Sequence, residues 1–114
     1  MAKKLDMELY RLQAELCKTF ADPNRLIIIN VLRTGEKGVG DLQKVLGVPQ
    51  PLVSRHLALL RERDVVKSRR DGANVYYSLA DPKIAEACDI VHRVLLNQIT
   101  KRKETAERLM TAPK

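Results

Sequence analysis

The stretch "VPQPLVSRHLALLRERD", residues 48–64, decides the fold because it joins an apolar stripe to a short polar face. Val53, Leu57 and Leu60 recur at i, i+4 and i+7, which predicts an amphipathic helix with one buried face. The hydrogen-bonding side chains gather in the first two turns, at Gln50, Ser54, Arg55 and His56. The helix is therefore predicted to dock through its apolar stripe and to present its N-terminal polar residues outward.

The residues before this helix predict a second short helix, so that the two form a pair. The run "VGDLQKVLG" has the pattern of a short helix closed by glycine, and "GVP" separates it from the next helix. Two short helices joined by a tight turn predict a helix-turn-helix over residues 39–63. Further upstream, residues 5–20 carry an apolar stripe at helical spacing. The run "LIIINVL" predicts a buried central helix that begins at Asp22 as cap and Pro23 as first residue.

A β-hairpin is predicted after the helix-turn-helix, over residues 65–79. In "VVKSRRDGANVYYSL" two β-prone runs flank Asp71 and Gly72, a dipeptide that favours a tight turn. The second "ADP" of the chain then starts a last helix, predicted over residues 83–99. Residues 100–114 are mostly polar and fit either a helix extension or a frayed tail.

These elements predict one mainly α domain with a β-hairpin, in the order α-α-α-α-β-β-α, which is a winged helix-turn-helix spanning residues 1–114. Its 114 residues suit a single domain, and 45% of them are hydrophobic. The net charge of +7 favours a polyanionic partner, with nucleic acid ahead of a membrane surface. We find no signal segment and no apolar run near the roughly 20 residues that span a bilayer. We therefore expect a cytoplasmic protein without a membrane partner.

The polar end of the recognition helix and the basic hairpin together predict a surface for double-stranded DNA. A recognition helix places its N-terminal residues against base edges in the major groove, where Gln reads adenine and Arg reads guanine. A basic wing lies along phosphates or enters the minor groove. Either feature alone is more typical of a solvated face or a charge-protected edge, and their combination favours DNA binding. The predicted contacts are Gln50, Ser54, Arg55 and His56, the last at the flank, with Lys67, Arg69, Arg70 and Asn74 in the wing.

The segments "FADPNRLIIINVL" and "VGDLQKVLGVPQPLVSRHLALLRERDVVKSRRDGANVYYSLADP" resemble the ArsR/SmtB family of bacterial repressors. The resemblance covers residues 16–82, and the final helix follows it in pattern. It implies a homodimeric winged helix in which residues 5–20 and 83–99 form the dimer interface. It also implies binding to an inverted-repeat operator and release from it when an inducer reaches the dimer.

Three positions depart from the family pattern within the helix-turn-helix. Pro49 stands where family members often carry a Ser cap, and Leu52 where they often carry Thr or Ser. Asp64 stands where they often carry Gly, and Asp adopts a left-handed conformation at more cost than Gly. These changes bear on the base contacts and leave the predicted fold unchanged.

Both metal sites that the resemblance would imply are expected to be absent. Thiol-type sensors of the family place cysteines in the third helix, where this chain reads "GVGDLQ". Zinc-type sensors use carboxylates and histidines along the last helix. Asp81 is retained there, but the other positions hold Lys83, Val94 and Asn97, and neither Lys nor Val is a normal zinc ligand. We expect no zinc and no resident cofactor, which leaves a soft metalloid such as As(III) as an alternative.

Cys17, Cys88 and His92 are the remaining candidates for an inducer site. Cys88 and His92 lie four residues apart and share a helix face, so a protonated His92 is expected to lower the pKa of Cys88. Three readings stay open: thiols that only pack, a dithiol switch responding to a persulfide, an oxidant or As(III), and a Cys/His metal site. The Cys/His metal site is the weakest of these readings, because the helix offers no further ligands.

The function expected from these features is transcriptional repression through DNA. Two alternatives stay open: a winged-helix module that binds protein or RNA, and an ArsR-like regulator with neither a metal nor a thiol inducer. An enzyme is not expected, because the sequence has no Gly-rich phosphate loop and no zincin motif. Ser54 and His56 are two residues apart on a helix and point in different directions, so they form no catalytic pair.

Overall fold

A computed structural model describes residues 4–111 of the chain and has the predicted winged helix-turn-helix architecture with one added strand. The helices and strands, in chain order, are α1 (Lys4–Thr19), α2 (Pro23–Leu32), β1 (Lys37–Gly38), α3 (Val39–Leu46), α4 (Gln50–Glu62), β2 (Val66–Asp71), β3 (Asn74–Leu79) and α5 (Lys83–Thr111). The order of four helices, hairpin and last helix is confirmed. β1 was not predicted, because two residues are too few to show a periodic pattern.

The core is aliphatic and lies where α2, α3 and α4 meet the base of the wing. Because the chain has one Phe and no Trp, branched side chains must fill this space. Burying each of them contributes about 1.5–3 kcal/mol relative to exposure. The buried apolar residues are Ile28, Ile29, Leu32, Leu42, Val53, Leu57, Leu60, Val65, Val66 and Ala85. Three of these residues, Val53, Leu57 and Leu60, lie on successive turns of α4, and their burial anchors the orientation of that helix.

Local signals set the ends of the helices as the sequence indicates. The Oδ1 atom of Asp22 accepts hydrogen bonds from the backbone N–H groups of Asn24 at 2.8 Å and Arg25 at 3.3 Å, so Asp22 caps α2. Asp81 accepts the N–H of Lys83 at 3.0 Å at the start of α5. Pro49 occupies the N-cap of α4 and makes no side-chain cap bond, so this helix lacks the roughly 1 kcal/mol that a Ser cap supplies.

Asp64 closes α4 in the left-handed conformation expected at this position, with φ of 59°. The N–H of Val65 donates to the carbonyl of Leu60 at 2.9 Å, and the N–H of Asp64 donates to that of Arg61 at 3.0 Å. This pair of bonds is a Schellman motif, which normally has Gly at the left-handed residue. Its apolar contact is supplied by Leu60 and Val65, both fully buried.

The wing is part of a three-stranded antiparallel sheet with strand order β1-β3-β2. Asp71 pairs with Asn74, so the hairpin loop consists of Gly72 and Ala73, one residue later than predicted. Gly72 takes the positive φ of 63° that the first position of such a loop requires. β1 covers the other edge of β3, where Lys37 pairs with Tyr77.

α5 runs 29 residues, and only its first turns belong to the globular domain. Ile84 and Cys88 pack against the core. Beyond them the helix continues through Thr111, so the predicted polar tail is a helix extension as far as that residue; 112–114 lie outside the described residues. Between residues 4 and 111, we find no helix with the length and apolar character needed to cross a bilayer.

Candidate DNA-binding interface

The recognition helix α4 has one face locked in the core and another open to solvent. Val53, Leu57 and Leu60 are fully buried. The exposed residues of its first turns include Gln50, Ser54 and Arg55, as predicted. Among the hydrogen bonds and ion pairs formed between described side chains, Arg55 takes part in none. Its guanidinium therefore keeps all its donors available to an external acceptor.

His56 is the exception, and the prediction that it lies outward at the flank is wrong. Its exposed fraction is 6%. The reason lies in helix geometry: His56 is one turn after Val53 and next to Leu57, so it completes the i, i+3, i+4, i+7 pattern with Leu60. The spacing in the sequence indicates this buried position, whereas the polar character of histidine favours an exposed one. His56 is therefore removed from the expected DNA contacts.

His56 instead joins α4 to the start of α2. The Nη1 of Arg25 lies 3.2 Å from Nδ1 of His56, and the Nε of Arg25 donates to the carbonyl of Thr19 at 2.6 Å. Because a guanidinium can only donate, Nδ1 accepts and the ring proton sits on Nε2. That N–H lies 3.9 Å from Oδ1 of Asp22 and has no hydrogen-bond partner in the described part of the chain. Arg25 is thus a positioning residue for α4 that sequence reasoning missed.

The basic residues of the wing are divided between its two faces. Successive strand residues point to opposite faces, so Lys67 and Arg69 share one face and Arg70 lies on the other. Ser68, on the Arg70 face, accepts a hydrogen bond from Nη1 of Arg61 at 3.3 Å, which marks this face as the one turned toward α4. Lys67, Arg69, Arg70 and the predicted contact Asn74 are all exposed.

Arg69 is already engaged by a carboxylate of its own chain. Its Nε and Nη2 donate to the two oxygens of Glu36 at 3.0 and 2.7 Å, and its guanidinium lies 4.9 Å from the centre of the Tyr76 ring. The hydrogen bond from Arg69 is the main cause that lowers the pKa of Glu36. Glu36 lies 33 residues away in sequence, so no local pattern indicates this pair.

The cysteines occupy different surroundings. Cys17 is exposed on α1, whereas Cys88 is half-buried on α5. Burial, followed by the charge of Asp89, raises the pKa of Cys88, while Arg33 opposes the shift. The prediction of a lowered pKa is therefore wrong. The positive charge of His92 instead acts, after the stronger effect of Arg33, on the pKa of Asp89, which it helps to lower.

The candidates for metal binding do not converge in the structure. No group of three or more His, Cys, Asp and Glu side chains within residues 4–111 is placed to hold an ion. Arg33 instead forms a forked ion pair with Asp89, which ties the end of α2 to α5. The carboxylate of Asp89, the residue next to Cys88, is therefore already paired with Arg33.

A helix-turn-helix with an exposed polar helix start and an adjoining antiparallel wing defines a winged helix-turn-helix DNA-binding protein. The model of the family described as "Bacterial regulatory protein, arsR family" matches residues 22–68. The HTH-type transcriptional regulator Rv0081 of Mycobacterium tuberculosis is 37% identical over 102 residues, 89% of this chain and 90% of that protein. This protein belongs to the arsR family, and it is a transcriptional regulator, not an enzyme.

Solved structures give the same architecture. The crystal structure of Rv0081 matches with a TM-score of 0.75 and 38% identity, covering 82% of this chain and 95% of that one. The transcriptional repressor BigR from Xylella fastidiosa matches with a TM-score of 0.70 and 33% identity, covering 82% and 96%. The homodimeric winged helix-turn-helix domain of Mb0332 from Mycobacterium bovis gives 0.76 and 26%, covering 86% and 91%.

Replacing His56 with Ala is expected to lower the free energy of unfolding by about 2 kcal/mol, because it opens a cavity and leaves a donor of Arg25 unpaired. Urea unfolding with an unchanged m-value measures this. Arg55→Ala, on the exposed face, is the control and should change stability by less than about 0.5 kcal/mol. If His56→Ala keeps full stability but loses DNA binding, the structural role of His56 is contradicted and a DNA contact is indicated instead.

Proposed function

We propose that this protein is a transcriptional repressor that binds an inverted-repeat operator as a homodimer, with α4 of each protomer in the major groove. The observation that carries the proposal is that α4 has one buried apolar face and one exposed polar face. One face is fixed in the core, and the other carries Gln50, Ser54 and Arg55 at the helix start, with Arg55 in no ion pair to a described side chain. Arg suits guanine and Gln suits adenine, so Arg55 and Gln50 are assigned the base contacts and Ser54 a phosphate or base contact.

The wing is assigned the contacts with the DNA backbone. Lys67, Arg70 and Asn74 are exposed, and the ion pairs found within residues 4–111 include neither Lys67 nor Arg70. Cationic side chains along a hairpin neutralise phosphates and release counterions, which adds affinity without reading sequence. The net charge of +7 supports this electrostatic contribution.

The apolar faces of α1 and α5 support the homodimer. Many large apolar side chains of these helices are between 47% and 69% exposed, among them Leu9, Leu12, Val91, Leu95 and Ile99. Extended apolar surface of this kind is rare on monomers and marks an interface. The Mb0332 domain is described as homodimeric, in line with this assignment. A two-fold dimer presents two copies of α4 in opposite senses, which matches the symmetry of an inverted repeat.

Release from the operator is assigned to the thiols of Cys17 and Cys88. Cys17 is exposed on one of the proposed interface helices, and Cys88 lies at the base of the other. The raised pKa of Cys88 makes its thiolate scarce, so the exposed Cys17 is the thiol expected to react first. An oxidant that takes two electrons and two protons from the two thiols would leave a disulfide between them, and a persulfide acting in this way would be reduced to a thiol and hydrogen sulfide. As(III) would instead bridge the two sulfurs in exchange for two of its hydroxyl groups. Either link would shift the interface helices and the spacing of the two α4 copies.

Replacing Arg55 with Ala is expected to cost about 1–3 kcal/mol of binding to a duplex selected from a random pool, and to flatten the preference at one base pair. The loss follows from a bidentate contact with one guanine edge. Gel shifts on single-base variants of the selected duplex measure it. Preferences unchanged in Arg55→Ala would refute α4 as the reading helix, and capture of RNA in preference to any duplex would favour the interaction module.

The homodimer is tested by a charge placed in the proposed interface. Val91→Asp is expected to convert a dimer into a monomer at low micromolar concentration, because it buries an unpaired carboxylate. Sedimentation equilibrium gives the mass of each form. Val45→Asp is the matched control, since Val45 is also an exposed apolar residue but lies on α3, and its dimer should persist. A monomeric parent protein would contradict the assignment.

The thiol switch is tested with Cys17→Ser, Cys88→Ser and the double variant. Treatment with a polysulfide, an oxidant or arsenite is expected to release the parent from the selected duplex and to leave the double variant bound. Gel shifts under reducing and oxidising conditions compare the four proteins. If the double variant is released as the parent is, the inducer acts elsewhere. If the parent stays bound in all three treatments, the cysteines serve only in packing.

A further inference from the structure

The pairing of Arg69 with Glu36 connects parts of the molecule that are far apart in sequence. Glu36 lies just before β1 at the end of the α2 connection, and Arg69 lies in β2 on the far side of β3. The forked bond between them therefore crosses the middle strand of the sheet, at 2.7 and 3.0 Å. Two parallel N–H to oxygen bonds fix orientation as well as distance.

Tyr76 fills the space beneath this bridge. Arg69 is the strand partner of Tyr76 in β2, and Gly38 is its partner in β1. A Cβ atom on Gly38 would lie 3.8 Å from the Tyr76 ring, which shows that the ring rests close to the bare backbone there. With the Arg69 guanidinium 4.9 Å from the ring centre, the side chain crosses the ring before it reaches Glu36.

The charges on this face of the wing cancel. Lys67 and Arg69 contribute two positive charges, while Glu36 and Asp71 contribute two negative ones, and Asp71 also lies 3.9 Å from Nη1 of Arg69. A phosphate reaching Arg69 from this face would approach both carboxylates. Arg70 lies on the opposite face, and no carboxylate within residues 4–111 forms an ion pair with it.

We propose that Arg69 is a positioning residue, which holds the wing to the body of the domain through Glu36, and that the neighbouring Arg70, not Arg69, contacts phosphate. The proposal rests on the proposed function as far as DNA is concerned. The proposal is based on the contacts that Arg69 already makes within the chain: its Nε and Nη2 donate to Glu36, and its guanidinium lies over the Tyr76 ring. Were Arg69 to turn to a phosphate, Glu36 would be left as an unpaired carboxylate next to DNA, and this repulsion opposes the exchange.

The salt dependence of DNA binding separates a positioning residue from a phosphate contact. We would measure binding of the full chain to a mixed-sequence duplex over a range of salt concentrations. Arg70→Ala is expected to lower the slope of log K against log salt by about one, as the loss of one phosphate contact requires. Arg69→Ala, Glu36→Ala and the double variant are expected to weaken binding alike, by about 2- to 5-fold, with the slope unchanged.

Two results would overturn the proposal. One is a slope lowered by about one in Arg69→Ala together with tighter binding by Glu36→Ala, since removing a neighbouring carboxylate helps a phosphate contact. The other is recovery of full binding in Arg69→Lys, which keeps the charge but loses the forked geometry. The positioning role predicts that Lys does not rescue.

Amide hydrogen exchange of the wing decides the same question without DNA. Arg69→Ala and Glu36→Ala are expected to speed exchange in β1 and β3 and to leave α2 and α4 unchanged, whereas Arg70→Ala should alter none of them. Unchanged exchange in all three variants would refute the positioning role. If the parent protein binds no duplex, the proposed function fails, and this measurement still tests the bridge on its own.

Discussion

The structure depends on the packing of α4 against α2. Ile28 and Ile29 of α2 lie in the same core cluster as the buried face of α4, and Arg25 at the start of α2 contacts the ring of His56 on that face. Once Val53 and Leu57 are inside, helix geometry places Ser54 and Arg55 outside. The same packing carries Leu60 to the point where the chain leaves α4, so the start of the wing is fixed too. The DNA-reading surface is in this sense a consequence of an apolar contact.

Much of this architecture was predictable because its signals are local. Asp22 and Asp81 cap the helices that follow them, through bonds that span only two or three residues. The change from helical to alternating pattern marks the wing within the sequence itself. Asp64 stands where the family resemblance places Gly, and it takes the left-handed conformation that such a position allows, with φ of 59°.

Several of the features that were missed or misread involve partners distant in sequence. His56 stands at a buried position of the helical pattern, and the group that satisfies its ring there, Arg25, lies 31 residues earlier in the chain. The engagement of Arg69 depends on Glu36, and a basic residue in a basic hairpin gives no hint of it. The raised pKa of Cys88 depends on burial against the core and on Asp89. Composition and periodicity do not encode such partners, since both report on neighbours along the chain.

The Schellman motif at the end of α4 also determines where this domain tolerates a change of length. Val65 is fully buried, its N–H bonds back to Leu60, and its carbonyl accepts the N–H of Ala80 at 3.0 Å. An extra residue at Asp64 would break these bonds and turn the wing relative to the recognition helix. The hairpin tip at Gly72 and Ala73 is exposed, so an inserted residue there is expected to leave the angle between the wing and the recognition helix unchanged.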